Sequence, residues 1–240
     1  MSKAIELGCL ILCGGRGTRL QSVVPDKPKA LAEVNGIPFI YLLLKQLGCF
    51  QFGEVILCTG YQGNQVKDAV GEQYENLKVI YSEENEPLGT GGAIKNAVTH
   101  IRQPMVVVLN GDSYVEYDLK GLVSQHQKVA AKFSIVLREV PNVGRYGSVA
   151  LGTGNRITSF SEKMPEPKKR QGWINAGIYL INRECINEFP GKIPVSLERE
   201  VLPSLVGNGL WGFPTTGEFI DIGTPDSLLS AGEFFKGVEL

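Results

Sequence analysis

Apolar residues in this chain gather into short unbroken runs instead of alternating with polar ones. Leu7–Cys13, Glu54–Thr59, Leu77–Tyr81, Met105–Leu109, Phe133–Arg138 and Ile174–Ile181 are the candidate strands, and Val106-Val107-Val108-Leu109 is typical of their centres. A strand with no polar interruption is apolar on both faces, which suits a mostly parallel sheet covered by helices. Between these runs, Ile40–Leu47, Gln65–Tyr74, Gly92–His100 and Leu119–Lys128 carry helix-like spacing. Strand–helix alternation persists to about residue 130 and predicts a Rossmann-like, doubly wound α/β fold. Beyond that point the strands shorten and Gly and Pro become frequent. The expected organisation is therefore one domain, residues 1–240, whose second half (from about residue 131) forms a small mixed-sheet subdomain built over the first.

Ligands of such sheets sit beyond the C-terminal strand ends. Two segments fall at that edge. The first is Leu12-Cys13-Gly14-Gly15-Arg16-Gly17-Thr18-Arg19, with Lys27-Pro28-Lys29 close behind, and the second is Asn110-Gly111-Asp112. Glycines leave backbone amides uncovered, and a nest of amides ahead of a helix, among arginines and lysines, is a polyphosphate site. A tight turn needing glycine only for shape is the simpler alternative. No Gly-Lys-Ser/Thr string follows, which excludes a Walker loop, and Leu20 stands where the Rossmann fingerprint needs its third glycine.

Other carboxylates and amides stand at similar positions. Asp112 and Asp221 each close an apolar run; together they suit Mg²⁺, which takes one or two carboxylates plus phosphate oxygens and water. Either could instead cap a turn or helix. Glu86-Pro87-Leu88-Gly89-Thr90-Gly91-Gly92-Ala93 is a second glycine-rich run opening a helix, with Thr90 near its cap and Ser82, Glu84 and Glu86 before or within it. Glu162-Lys163 ends a strand, Asn175-Ala176-Gly177 opens one, and Lys168-Lys169-Arg170 reads as a solvated loop that could close over a substrate.

Composition narrows the field. At 240 residues, 43% hydrophobic and 20% charged, the chain is an ordinary globular protein with ample length for a core. A net charge of −1 offers no basic face for nucleic acid, so phosphate binding must rest on a local cluster. The five cysteines are odd in number, scattered and without a C-x-x-C pair, as expected of small core residues in a reducing compartment. No signal-type segment and no apolar run of about 18 residues is present, so a cytoplasmic protein without a membrane partner is expected. With only His100 and His126, histidine-based catalysis has little to work with.

Taken together, Cys-Gly-Gly-x-Gly-Thr-Arg-Leu, Glu-Pro-Leu-Gly-Thr-Gly-Gly-Ala, Leu-Asn-Gly-Asp, Ile-Asn-Ala-Gly-Ile-Tyr and Ser-Leu-Glu-Arg-Glu resemble the sugar-1-phosphate nucleotidylyltransferase family. The resemblance runs from Leu10 to about Leu229 and is strongest to the branch of guanylyltransferases acting on D-glycero-α-D-manno-heptose 1-phosphate. It implies a nucleotide-diphospho-sugar-transferase fold whose first half binds GTP and whose second binds a sugar 1-phosphate, with no β-helix array behind it. Arg19, Lys29 and Asp112 would be catalytic, and Asp112 and Asp221 would hold Mg²⁺. Leu12, Gly14, Gly15, Arg16, Gly17, Thr18, Glu84, Glu86, Pro87, Gly89 and Thr90 would surround the nucleotide; the acidic residues favour guanine, whose N1–H and N2–H a carboxylate can accept. Gly147, Glu162, Lys163, Asn175, Gly177 and Glu198 would hold the sugar phosphate, with Tyr146 beside them. A homodimer is compatible with the resemblance. Mannose-1-phosphate guanylyltransferase and hexose-1-phosphate thymidylyl- or uridylyltransferases are the nearest alternatives. A catalytically silent nucleotide-sugar sensor would be expected to lack Arg19, Lys29 or an aspartate, and all are present.

Overall fold

The computed structural model describes residues 7–15, 17–162 and 170–237. In chain order its strands are β1 (Leu7–Leu12), β2 (Glu33–Val34), β3 (Ile37–Pro38), β4 (Glu54–Thr59), β5 (Gln73–Tyr74), β6 (Leu77–Glu83), β7 (Met105–Asn110), β8 (Ser113–Val115), β9 (Phe133–Val140), β10 (Ser148–Leu151), β11 (Ile157–Ser161), β12 (Gly172–Asn182), β13 (Leu210–Thr215) and β14 (Phe219–Asp221). The α-helices are α1 (Phe39–Cys49), α2 (Gly63–Val70), α3 (Gly89–Ala97), α4 (Leu119–Lys128), the single turn α5 (Leu202–Ser204) and α6 (Pro225–Phe234). A π-helical turn, Leu197–Val201, leads into α5.

Strands β6, β4, β1 and β7 lie side by side and parallel. This is the doubly wound centre that the apolar runs predict. Its two faces are covered by different sets of side chains. Cys9 and Ile11 of β1 point with Val107 and Leu109 toward the face covered by α1, while Leu10, Val106 and Val108 point to the face covered by α3. In α1, Phe39, Ile40, Leu43, Leu44 and Leu47 have no exposed surface. At about 1.5–3 kcal/mol for each large apolar side chain buried, that helix is held by packing more than by its capping; indeed no side chain caps its N-terminus.

The second half departs from expectation. It does not stack over the first as a separate layer. Instead β12 joins the free edge of β7, antiparallel, through Ile178↔Leu109 to Asn182↔Met105. Strand β10 also pairs with β12, β11 with β10, β9 with the other edge of β12, and β13 with β9, giving one sheet of ten strands among the described residues. The run Ala176–Ile181 is buried throughout, so an edge position in a small outer sheet would have left it half exposed; pairing on β7 covers it.

Smaller differences have local causes. The helix expected over 65–74 stops at Val70, because Gly71 takes a positive φ of 71° and Gln73–Tyr74 turn back as β5 onto β6. Helix α3 starts at Gly89 and gives way to a 3-10 turn at Val98–His100. No α-helix follows the first glycine loop. Turns run from Thr18 to Val23, with Leu20 N–H on the Gly17 carbonyl and Val24 N–H on that of Leu20, both at 2.8 Å. No helix dipole can therefore serve the anion site expected there. Cys9, Cys13, Cys58 and Cys185 are buried as expected, whereas Cys49, the last residue of α1, is exposed. No helix among the described residues is long and apolar enough to cross a membrane.

Candidate functional site

A cleft of about 570 Å³ opens beyond the C-terminal ends of β1, β4, β6 and β7. Leu12, Cys13, Gly14 and Gly15 from the first loop, Lys29, Glu84 to Pro87, Gly89, Thr90, Asp112 and Glu198 all line it. The two segments singled out at this sheet edge do share one cavity.

At its floor the glycine loop is fitted to its neighbours residue by residue. A Cβ at Gly14 would lie 3.1 Å from Glu84 Oε1, and one at Gly17, which has a φ of 58°, would lie 3.0 Å from Lys29 Cβ. Gly15 differs: among the described residues nothing lies within 4 Å of its missing side chain, which points into open space. Lys29 sits in the 3-10 turn Lys29–Leu31 and places its Nζ on Asp112 Oδ2 at 2.5 Å. Asp112 reaches this point because Gly111 lets the chain press against β1, with Gly111 N–H on the Leu12 carbonyl; a Cβ there would lie 2.5 Å from that oxygen.

Asp221 arrives from the far end of the sequence. Strand β14 pairs with β8 so that Asp221 faces Ser113, and Ile222 N–H donates to the Asp112 carbonyl at 2.9 Å. Asp221, at the end of β14, is thus brought beside the turn that carries Asp112, the carboxylate to which Lys29 is bonded. Asp221 is well anchored: Tyr146 OH donates to Oδ1 at 2.8 Å, Gly223 N–H to Oδ2 at 2.8 Å, and the Arg145 guanidinium lies 3.6 Å from Oδ1. Tyr146 therefore serves the aspartate, where the resemblance had set it beside the sugar. Burial, with the nearby Asp221 carboxylate, raises the Tyr146 hydroxyl above its ordinary range, so it stays a donor. Burial and Asp112 likewise push the Cys13 thiol up to about 12, making it a packing residue and no nucleophile.

Along the opposite wall, Glu84 is raised from its ordinary value by burial, an effect opposed by the Leu88 N–H that its Oε2 accepts at 3.1 Å. Glu86 and Pro87 are exposed on the same wall, while Ser82 is buried and bonded to Asn96. Thr90 does not cap α3, whose N-cap residue is Leu88 and has no side-chain cap. The Thr90 hydroxyl donates to Glu198 Oε2 at 2.7 Å.

The remaining sugar-side residues form a row past the end of β7. Gly147 immediately precedes β10, Glu162 immediately follows β11, and Asn175 lies within β12 beside Gly147. The Gly147 carbonyl accepts the Asn175 N–H at 3.0 Å, and a Cβ on Gly147 would lie 3.3 Å from Glu162 Oε2. Gly177 has a φ of 82° and sits against Asn110 where β12 bulges between Asn175 and Tyr179. Bulges re-aim a strand, and this one bends β12 beside the cleft. Asn175 is occupied within the protein: its Nδ2 donates to Tyr179 OH at 2.8 Å and its Oδ1 accepts Gly177 N–H at 3.0 Å.

Thr18 and Arg19 are exposed in the turns after the loop, outside the cleft wall. Arg16, Lys163, Lys168 and Lys169 lie outside the described residues; Arg170 is exposed. Sequence reasoning passed over Tyr61 and Asn85, which line the cleft, placed Asn110 there only as part of Asn110-Gly111-Asp112, and gave neither Asn110 nor Tyr179 a role of its own. Asn110 Oδ1 is buried without a hydrogen-bond partner among the described residues, an acceptor that a ligand hydroxyl would satisfy. Its place just ahead of Gly111-Asp112 was the available signal.

An open cleft over glycine backbone, with Lys29 bonded to Asp112 at its edge and Asp221 on the strand paired beside it, is the arrangement of a nucleotidyl-transfer site. Residues 9–237 match the family described as Nucleotidyl transferase, and the chain belongs to that family. A D-glycero-alpha-D-manno-heptose 1-phosphate guanylyltransferase from Campylobacter jejuni is 35% identical over 90% of this chain and 95% of its own length. A mannose-1-phosphate guanylyltransferase from Mycobacterium tuberculosis is 31% identical over 97% of this chain and 66% of its own. The crystal structure of HddC from Yersinia pseudotuberculosis complexed with GMP-PN is 36% identical and superposes with a TM-score of 0.85, covering 96% of this chain and 100% of that one.

Proposed function

We propose that this protein transfers GMP from GTP to D-glycero-α-D-manno-heptose 1-phosphate, releasing pyrophosphate and forming a GDP-heptose for bacterial surface polysaccharide. The observation that carries the reading is the Lys29–Asp112 pair in the cleft that Gly15 also lines, with Asp221 brought close by the β14–β8 pairing, in a chain similar over 90% of its length to an enzyme named for that reaction. A sugar phosphate is already an anion at neutral pH and needs no general base. Catalysis then reduces to alignment and to neutralising charge on the transferring phosphoryl group. Lys29 neutralises the α-phosphate, Arg19 binds the β and γ phosphates, and Lys163 holds the incoming sugar phosphate. Glu84 accepts the guanine N1–H and N2–H; Glu162, Asn110 and Glu198 address sugar hydroxyls.

Mg²⁺ fits the donor set. No group of three or more His, Cys, Asp or Glu among the described residues could cage a metal, and Mg²⁺ is the ion that needs only one or two carboxylates besides phosphate and water. Asp112 and Asp221 would hold it, and when bound it supplies Lewis-acid neutralisation of the phosphate oxygens. The place of action is the cytoplasm, where GTP is supplied.

Pyrophosphate release across GTP, dTTP, UTP, CTP and ATP, each with heptose, mannose and glucose 1-phosphates, tests the reading. Turnover is expected to be highest with GTP and the heptose 1-phosphate. Preference for mannose 1-phosphate would favour the second reading, a mannose-1-phosphate guanylyltransferase, which the M. tuberculosis relative supports. Preference for dTTP with glucose 1-phosphate would sink both.

A further inference from the structure

The segment around Val195 is laid across the start of α3 and bonded to it on both sides. Val195 N–H donates to the Leu88 carbonyl at 2.8 Å, and the amides of Gly91 and Gly92 donate to the Val195 carbonyl at 2.9 and 3.3 Å. Thr90 completes the junction. Its hydroxyl accepts Leu197 N–H at 2.8 Å and donates to Glu198 Oε2 at 2.7 Å. A hydroxyl has a single proton to give, and here it is given to Glu198. The Thr90 side chain has no donor left for a nucleobase.

Glu198 is held unevenly. Oε2 receives both Thr90 and, at 3.2 Å, the Ser196 hydroxyl, whereas Oε1 has only the long 3.4 Å approach of Tyr179 OH. A carboxylate oxygen has two lone pairs, so Oε2 is filled from within the protein and Oε1 keeps acceptor capacity on a residue that lines the cleft. We propose that Thr90 is a positioning residue of the sugar half, fixing Glu198 so that Oε1 accepts a hydroxyl of the polyol substrate. The residue sits in the first turn of α3, on the nucleotide side, yet acts on sugar recognition through its hydrogen bond. This assignment rests on the reading of Glu198 as a sugar contact.

Thr90→Val keeps the shape and removes the hydroxyl; Thr90→Ser keeps the hydroxyl; Glu198→Gln tests the contact itself. With whichever sugar 1-phosphate turns over best, Thr90→Val is expected to raise its KM about 10-fold, the usual cost of one charge-assisted hydrogen bond. GTP affinity, measured by calorimetry without sugar, should stay within about twofold, and Thr90→Ser should restore the wild-type KM, as a merely structural role would not require. Thr90→Ala gives the same comparison should the valine variant not fold. A loss of GTP binding in Thr90→Val, or an unchanged sugar KM, overturns the positioning role. If Glu198→Gln leaves the sugar KM unchanged, the underlying reading of Glu198 fails, and the proposal with it.

Discussion

The two glycine-rich runs have nearly the same composition and opposite surroundings. The first run keeps space at Gly15, whose missing side chain nothing among the described residues approaches within 4 Å. Around Gly89–Gly92 the space is taken by protein, since a Cβ on Gly89 would lie 2.4 Å from the Val195 carbonyl oxygen and one on Gly91 would lie 2.9 Å from Val195 Cγ1. The first run is open to a ligand; the second lets one chain segment lie against the start of a helix, and its Gly91 and Gly92 amides are satisfied by Val195. Glycine content alone does not distinguish a phosphate loop from a packing joint. What lies opposite the glycine does.

The largest effect that could break this contrast concerns the charge beside the open run. Lys29→Ala and Asp112→Asn are each expected to lower kcat by roughly 10²–10³-fold, the range for removing a group aimed at developing charge, with the melting temperature little changed. Wild-type turnover in stopped-flow pyrophosphate assays would reduce the Lys29–Asp112 pair to a structural one. Next, Gly89→Ala should cost about 3 kcal/mol in chemical denaturation or prevent folding, because its φ of 75° and the Val195 carbonyl both oppose a side chain. A stable Gly89→Ala protein would mean that the joint is loose. Gly15→Ala should leave stability within about 0.5 kcal/mol while raising the KM for GTP about fivefold, as expected when a backbone approach to phosphate is obstructed. Equal effects of the two alanines on stability would erase the distinction.

The smallest expected effect lies in neither run and serves as a reference. His126 is buried between Ser134 and Asn182, and burial holds its pKa below the ordinary value. A group with a depressed folded pKa lets the unfolded chain bind the extra proton first, so stability falls as pH drops through and below about 6.5. His126→Asn should flatten the pH dependence of stability between pH 7 and 5. An unchanged slope would assign that dependence to other groups.

The parallel centre was legible because its strands are apolar on both faces, and α4 matched its expected span of Leu119–Lys128. The placement of β12 was not, since a buried run reads the same at any position in a sheet. The short strands β8 and β14 were also missed: three residues each carry too little pattern, yet their pairing brings Asp221 beside Asp112. The cleft's glycine loop, Lys29 and Asp112, and Asp221 on the neighbouring strand, could be named from motifs. Tyr146, Arg145, Tyr179 and Asn110 could not be given their roles, because those depend on hydrogen bonds between segments far apart in the chain.

The pairing of β12 with β7 has a consequence for how ligands come and go. Five residue pairs cross that seam directly beneath the cleft, and each backbone hydrogen bond broken in a dry interior costs the desolvation of its partners, about 1–3 kcal/mol. Opening the cleft by swinging its two halves apart would tear this seam. A swing of that kind is therefore disfavoured, and the paired strands act as a stiff floor to the cleft. The same stiffness means that β10 and β11, at the outer edge of the sheet, can change without disturbing the alignment of the central parallel strands.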